Sequence, residues 1–143
     1  MKNFLLTILL LTAATTQAQK QEVQKTVDTF FEAFHAKDTV KLHAVCMDKM
    51  ILQSISEGPK GNKLTDETTG EFYNSIATIP VNVIFQEKLL SYNIQIDGSM
   101  AHAWTQYEFY VNGKLSHKGV NAFTLFKEKD SWKIVSIIDT RRK

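Results

Sequence analysis

Two turn signals in the second half of this 143-residue chain restrict its fold more than any other feature. The dipeptides Asp97-Gly98 and Asn112-Gly113 are typical of tight β-hairpin turns, and Lys129-Asp130 is a weaker signal of the same kind. They separate four stretches of extended sequence, near residues 83–96, 99–111, 114–127 and 131–139. This pattern predicts an antiparallel meander of four strands.

The first half of the chain favours helices. Five apolar side chains recur there at helical spacing and predict one long amphipathic helix: Val23, Val27, Phe30, Phe31 and Phe34. A short second helix is expected after Asp38 or Thr39, and a third from Thr65 or Thr68, since Thr68 and Glu71 have the spacing of a capping box. One strand, Met50–Ile55, lies between the second and third helices. Helices and one strand followed by a meander give an α+β fold.

The first 18 residues have the features of a secretory signal peptide. Lys2 gives a positive start, residues 4–11 form an apolar run, and Thr16-Gln17-Ala18 is a cleavage site of small residues. The run is shorter than the roughly 18–20 residues of a membrane span. No cysteine follows the site, so a lipid anchor is not expected. We therefore expect a periplasmic or secreted protein whose mature chain, residues 19–143, is one domain. The intact mass of protein from its native host would test the predicted cleavage after Ala18.

Composition excludes several classes of function. A formal net charge of +2 is too balanced for a nucleic-acid-binding surface. The single cysteine, Cys46, lies among apolar residues, so we expect a buried, inert thiol and no disulfide. Metal-ligand spacing, a phosphate-binding glycine loop and a Ser-His-Asp context are missing from the sequence. We expect no metal, no cofactor, and no nucleic acid or membrane as partner of the mature chain.

The turn chemistry also predicts which residues share a face of the sheet. The Asp97-Gly98 loop pairs Ile94 with Ala101, and the last hairpin pairs Leu125 with Ile134 and Phe123 with Ser136. At Asn112-Gly113 two registers are possible. A two-residue loop pairs Tyr107 with Lys118, whereas a three-residue loop beginning at Val111 pairs Tyr107 with His117 and Ala101 with Phe123. We favour the second register because it keeps Phe123 and Leu125 on the core face.

In that register four polar residues share the concave face with the core: Thr105, Tyr107, His117 and Asn121. Since Ala103 and Gly119 leave space between them, we expect these four to line a small-molecule pocket. His117 and Tyr107 are the best catalytic candidates. The simpler alternative is a cross-strand hydrogen bond between Tyr107 and His117 that satisfies two buried polar groups.

Acidic partners for His117 are not evident from the sequence. Glu108 and Asp139 are expected to point away from the concave face. Asp28, Asp48 and Glu57 are possible contributors from the first half, although each is more simply a solvated charge. The other histidines are expected on surfaces, with His35 and His43 on helices and His102 on the outer face of the sheet.

The outer face of the sheet is predicted to be too apolar to remain in water. The register gives it Trp104, Val120, Ala122, Phe126, Val135 and Ile137, whereas Trp132, Ile134 and Ile138 face inward. A contiguous apolar surface of this kind usually marks an interface. We therefore expect a homodimer through this face, which light scattering would test.

Three segments carry a resemblance to a known superfamily: "IDGSMAHAW" at 96–104, "YEFYVNGKLSHKGVNAF" at 107–123 and "WKIVSIIDTRR" at 132–142. The chain resembles the nuclear transport factor 2-like (NTF2-like) superfamily, in particular exported bacterial SnoaL-like and lumazine-binding type domains. The resemblance implies a cone-shaped, curved antiparallel sheet wrapped around a long N-terminal helix with two shorter helices. It also implies sheet-to-sheet dimers.

Three functions are compatible with that resemblance. The first is an exported protein that holds a small apolar or aromatic ligand in a concave pocket. The second is an isomerase, dehydratase or cyclase of the SnoaL-like or ketosteroid-isomerase-like kind that uses a pocket histidine. The third is a non-catalytic dimeric scaffold. A pocket carboxylate within reach of His117 would favour the enzyme, and its absence would favour the binding protein.

Overall fold

The computed structural model describes the backbone of residues 2–143 and the side chains of residues 16–143. Three helices are present in it: α1 (Lys2–His35), α2 (Thr39–Val45) and α3 (Thr69–Ala77). The predicted signal peptide falls almost entirely outside the residues with described side chains, and it stays a prediction. Within the described residues, no helix combines the length and the hydrophobicity that crossing a membrane requires.

In the part of the chain that the structure describes, seven strands form one curved, unclosed sheet. They are β1 (Cys46–Gly58), β2 (Gly61–Glu67), β3 (Phe85–Leu89), β4 (Asn93–Asp97), β5 (Met100–Val111), β6 (Lys114–Glu128) and β7 (Ser131–Arg142). The order across the sheet is β2-β1-β7-β6-β5-β3, and β4 also pairs with β5. The predicted α+β fold is confirmed, and the meander is antiparallel as expected.

Several boundaries differ from those that the turn signals predicted. The strand expected over residues 83–96 is divided into β3 and β4. The strand expected at Met50–Ile55 is longer, and the turn-rich segment after it belongs to a hairpin with β2. Strand β1 runs parallel to β7, a pairing that no hairpin signal could reveal because the two strands are far apart in sequence.

The helices begin and pack for reasons visible in the sequence. Asp38 caps α2 by accepting a hydrogen bond from the Lys41 backbone, and Thr68 with Glu71 forms a complete capping box at α3. The predicted apolar stripe of α1 lies on the concave face of the sheet. There the rings of Phe30 and Phe31 each meet Phe123 edge-on, with centroids 5.8 Å apart.

The faces of β5 and β6 were predicted correctly, but their register was not. The turn is the two-residue Asn112-Gly113 loop with positive φ at both residues, and Val111 pairs with Lys114. An extra residue, Ser116, then bulges from β6 so that His117 faces Phe109. This bulge shifts the alternation of β6 by one residue, so that Phe123 faces the core as predicted. Each β5 residue beyond the bulge pairs with the β6 residue two positions after the predicted one.

The two neighbouring hairpins show related differences. Ile94 pairs with Ala103 because the first loop is Gly98-Ser99, which leaves the predicted face unchanged. In the last hairpin Leu125 pairs with Ile134, as predicted, but a second bulge then pairs Phe123 with Ile137. Beyond this bulge the alternation of β7 is reversed. The predictions for Ile137, Ile138 and Asp139 were therefore wrong: Ile137 and Asp139 face inward, and Ile138 faces outward.

The outer face of the sheet keeps part of its expected apolar character. Trp104 and Phe126 are exposed, and Val120, Ala122 and Val135 are partly buried. The homodimer through this face stays a prediction. Cys46 is buried, and burial raises the pKa of its thiol to about 11, in agreement with an inert residue.

Candidate functional site

A cavity of about 700 Å³ lies between α1, α3 and the concave face of the sheet. Its apolar wall is built mainly from phenylalanines of both helices and two strands: Phe30, Phe31, Phe34, Phe72, Phe109 and Phe123. The rings of Phe30, Phe34 and Phe72 are nearly parallel, with interplanar angles of 12° or less. The centroid of Phe72 lies 6.1 Å from that of Phe30 and 6.4 Å from that of Phe34. The volume falls in the range typical of small-molecule sites.

The polar end of the cavity is made by side chains of β3, β5, β6 and β7. These residues are Glu87, Tyr107, His117, Asn121, Asp139 and Arg141. Of the four residues that the sequence predicted to bind a ligand, Tyr107, His117 and Asn121 line the cavity. Thr105 is fully buried behind Asn121, whose amide nitrogen lies 3.4 Å from the Thr105 hydroxyl. A ligand role for these residues stays a prediction.

The carboxylate of Glu87 is in direct contact with the side chain of Asn121. The Asn121 amide donates a hydrogen bond of 2.6 Å to Glu87 Oε1. The backbone N–H of Glu87 donates to His35 Nε2 at 2.9 Å, so His35 is a partly buried structural acceptor and not the helix-surface residue that was predicted. Burial raises the pKa of Glu87 to about 7, since the charged carboxylate loses hydration there.

Asp139 and Arg141 form an ion pair at the same end of the cavity. Arg141 Nε donates to Asp139 Oδ2 at 2.7 Å, and the Ser54 hydroxyl donates to the other carboxylate oxygen at 2.5 Å. The Tyr107 hydroxyl donates to the carbonyl of Thr140 at 2.8 Å and lies 3.3 Å from Asp139 Oδ2. Tyr107 is therefore held by β7, and the predicted hydrogen bond between Tyr107 and His117 is not formed.

His117 contacts aromatic rings and a neighbouring hydroxyl. Its ring stacks on Phe109 with centroids 4.8 Å apart and meets the Tyr107 ring edge-on. Its Nδ1 lies 3.1 Å from the Ser116 hydroxyl. Burial, followed by the positive charge of Arg141, lowers the pKa of His117 and so favours the neutral imidazole.

The acids that were expected from the first half lie elsewhere. The Tyr92 hydroxyl donates to Asp28, Asp48 lines a separate groove beside α3, and Glu57 pairs with Arg142. His43 is exposed on α2, and His102 lies on the outer face of β5, as predicted. Within the described residues, no group of three or more Asp, Glu, His or Cys side chains could hold a metal ion.

Glu87, Asp139 and Arg141 are the polar site residues that the sequence did not reveal. One weak signal was available for Glu87, since it alternates with the apolar residues Phe85 and Leu89 and so shares their face. For Asp139 there was no local signal, because its direction depends on the bulge in β7.

Comparison with known proteins identifies the fold. No protein-family profile matches the sequence, and no curated protein matches it. A solved structure of a candidate dehydratase of the NTF2-like family from Streptomyces avermitilis is similar over 90% of this chain and 99% of that chain, with 18% identity and a TM-score of 0.70.

Two further structures extend this likeness. An NTF2-like protein from Cytophaga hutchinsonii is similar over 87% of this chain and 98% of that chain, with 12% identity and a TM-score of 0.71. The β subunit of a candidate aromatic-ring-hydroxylating dioxygenase from Novosphingobium aromaticivorans is similar over 90% of this chain and 92% of that chain, with 9% identity and a TM-score of 0.73. The shared arrangement of helices and curved sheet shows that this protein has the NTF2-like fold.

Proposed function

We propose that this protein is an exported binding protein that holds a small, largely apolar or aromatic molecule in the cavity of the curved sheet. The observation that carries this proposal is a cavity of about 700 Å³ in which a wall of phenylalanines faces converging polar side chains. Apolar walls supply the free energy of binding, and the polar groups fix the orientation of the ligand.

Occupation of the cavity can be tested with a substitution that fills it. Asn74 is exposed on α3 and lines the cavity, so Asn74→Trp is expected to place an indole there without disturbing the core. We expect the wild type to bind the neutral aromatic dye Nile red with a fluorescence increase, and Asn74→Trp to weaken binding by about tenfold or more, the equivalent of about 1.4 kcal/mol.

The matched control is Ala77→Trp, an exposed position of the same helix that does not line the cavity. This variant should bind the dye like the wild type. Binding that is equal in all three proteins would place the dye outside the cavity and contradict the proposal. A wild type that binds no dye would favour the scaffold.

A second candidate function is an acid–base enzyme, and the Glu87 carboxyl group favours it. A pKa of about 7 lets this group both accept and donate a proton near neutral pH. His117 is a weaker candidate, because the partner of its ring is the Ser116 hydroxyl and not a carboxylate. In a dehydration, the Glu87 carboxylate would remove a proton from the carbon beside a carbonyl. The Glu87 carboxylic acid would then return that proton to the β-hydroxyl, whose C–O bond breaks as water leaves and the C=C bond forms.

The test is the dehydration of 4-hydroxy-4-phenylbutan-2-one to the conjugated ketone and water, followed by ultraviolet absorbance. If the protein catalyses this dehydration, Glu87→Gln should lower the dehydration rate by about a hundredfold or more, which is the range of general base catalysis. Glu108→Gln on the opposite face of β5 should leave the rate unchanged. A wild-type rate equal to that in buffer would reject this reaction.

A further inference from the structure

The charged side chains that line the cavity are mostly acidic, although the chain as a whole has a net charge of +2. One guanidinium, that of Arg141, faces five carboxyl groups: Asp66, Glu67, Glu71, Glu87 and Asp139. The cavity therefore concentrates negative charge that the rest of the surface does not share. Such a lining favours cations over anions of the same shape.

Most of these acids already have partners in the protein. Glu71 accepts hydrogen bonds from Thr68 at the start of α3, and Asp66 accepts one from Gln53. Asp139 is neutralised by Arg141. Asp66, Glu71 and Asp139 therefore have partners within the fold, and Nε and Nη2 of Arg141 both face Asp139.

Glu87 differs from Asp66, Glu67 and Glu71 because burial withdraws its carboxylate from water, whereas those three residues are exposed. It differs from Asp139 because no ion pair joins it to a cation among the described residues. Among the described residues, the hydrogen-bond partner of its carboxylate is the neutral amide of Asn121. A carboxylate withdrawn from water without a cation is costly, so it either takes up a proton or binds a positive group. A ligand with a positive group can supply what the protein does not.

The aromatic wall is suited to the same kind of ligand. The rings of Phe34, Phe72 and Phe109 line the cavity that Glu87 enters. The faces of aromatic rings carry partial negative charge and attract cations, while their surfaces also bury an apolar body. The Glu87 carboxylate and the phenylalanine rings therefore both favour a ligand that combines a positive group with an apolar body.

We propose that the cavity selects a small aromatic molecule bearing an ammonium group, with Glu87 receiving the ammonium and the phenylalanines enclosing the aromatic body. This inference rests on the proposed function, since it names the class of ligand that the same cavity binds. Asp139 opposes the charge of Arg141, whose Nε and Nη2 donate to it, and the other four carboxyl groups of the lining disfavour an anionic ligand.

The test compares three probes of one shape by titration calorimetry at pH 8: naphthalen-2-ylmethanamine, naphthalen-2-ylmethanol and naphthalene-2-carboxylate. The amine should bind at least about tenfold more tightly than the alcohol, the strength of one charge-assisted hydrogen bond. The carboxylate should bind most weakly. In Glu87→Gln the preference for the amine should fall to about threefold or less, while Glu108→Gln should keep it.

A lower pH should weaken binding of the amine through the same carboxylate. The pKa of Glu87 lies at about 7, so between pH 8 and pH 6 the charged fraction, and with it the affinity, should fall about tenfold. Glu87→Gln should remove this dependence. Other ionisable groups face Glu87 from the surrounding elements, and this variant keeps them: His35 of α1, Tyr107 of β5, His117 of β6, and Asp139 and Arg141 of β7.

The outcomes separate this inference from the function on which it rests. If the alcohol binds as tightly as the amine, or if Glu87→Gln keeps the preference, the ammonium inference is wrong while the cavity remains a binding site. Nile red binding without binding of any naphthalene probe also overturns the inference alone. Failure of all four probes to bind overturns the proposed function itself.

Discussion

Replacing Gly119 with alanine is expected to destabilise the fold by about 3 kcal/mol or more, the upper range for overpacking. The backbone of β6 passes so close to β7 at this position that a Cβ atom on residue 119 would lie 1.7 Å from the Thr140 carbonyl oxygen. The obstacle is backbone, so no side-chain rotation can relieve it. The φ angle of Gly119 is not in the left-handed region, and the requirement is for space alone.

The same substitution should also disturb the candidate site. The Thr140 carbonyl accepts the hydrogen bond of the Tyr107 hydroxyl, and Asp139 and Arg141 flank Thr140 in β7. A shift of Thr140 would move all three polar groups. Urea denaturation followed by circular dichroism measures the loss of stability, and Nile red titration of the folded fraction measures the effect on the site.

Gly70→Ala is the matched control. Gly70 lies in α3, and a Cβ atom there would meet no atom within 4 Å. Since alanine is favoured over glycine within a helix, this change should stabilise the protein by about 0.5–1 kcal/mol. A urea midpoint for Gly119→Ala equal to that of the wild type would show that β6 and β7 are not this close.

The second large effect is expected for Phe123→Ala, at about 3–5 kcal/mol of destabilisation. Phe123 has 0% exposure, and its ring lies between Phe30 and Phe31 of α1. Its removal therefore loses contacts between the sheet and the long helix, and it leaves a void beside the cavity. Thermal and urea denaturation both measure this change.

Phe126→Ala tests the assignment of faces on the same strand. Phe126 lies on the opposite face of β6 and is 42% exposed, so the same truncation should lower the free energy of unfolding by less than about 1 kcal/mol. Similar losses for the two variants would contradict the alternation assigned to β6.

The candidate site shows how far local sequence reasoning reaches. Tyr107, His117 and Asn121 were predicted on the concave face because Phe123 and Leu125 had to be buried, and side chains two residues apart share a face. This argument held although the pairing itself was wrong. The turn is shorter than predicted, but the bulge at Ser116 restores the required alternation.

The acids were missed because alternation breaks at points that the sequence does not mark. The predicted strand near residues 83–96 is divided into β3 and β4, and Glu87 of β3 lines the cavity. Asp139 was assigned through a regular hairpin, whereas the bulge in β7 reverses its direction. A one-residue irregularity changes the face of every residue beyond it.

The sequence by itself determined the α+β class, the long first helix, the capping box of α3 and the buried face of β5 and β6, because each depends on residues that are close together in the chain. The tertiary structure decided which charges meet in the cavity. Ser54 of β1 and Asp139 of β7 are joined by a parallel pairing across 85 residues, and Glu87 meets Asn121 across 34. These long-range contacts depend on the curvature of the sheet, on the bulges in β6 and β7, and on the close approach of β6 to β7 at Gly119. These features are set by the packing of the whole domain and not by any local pattern.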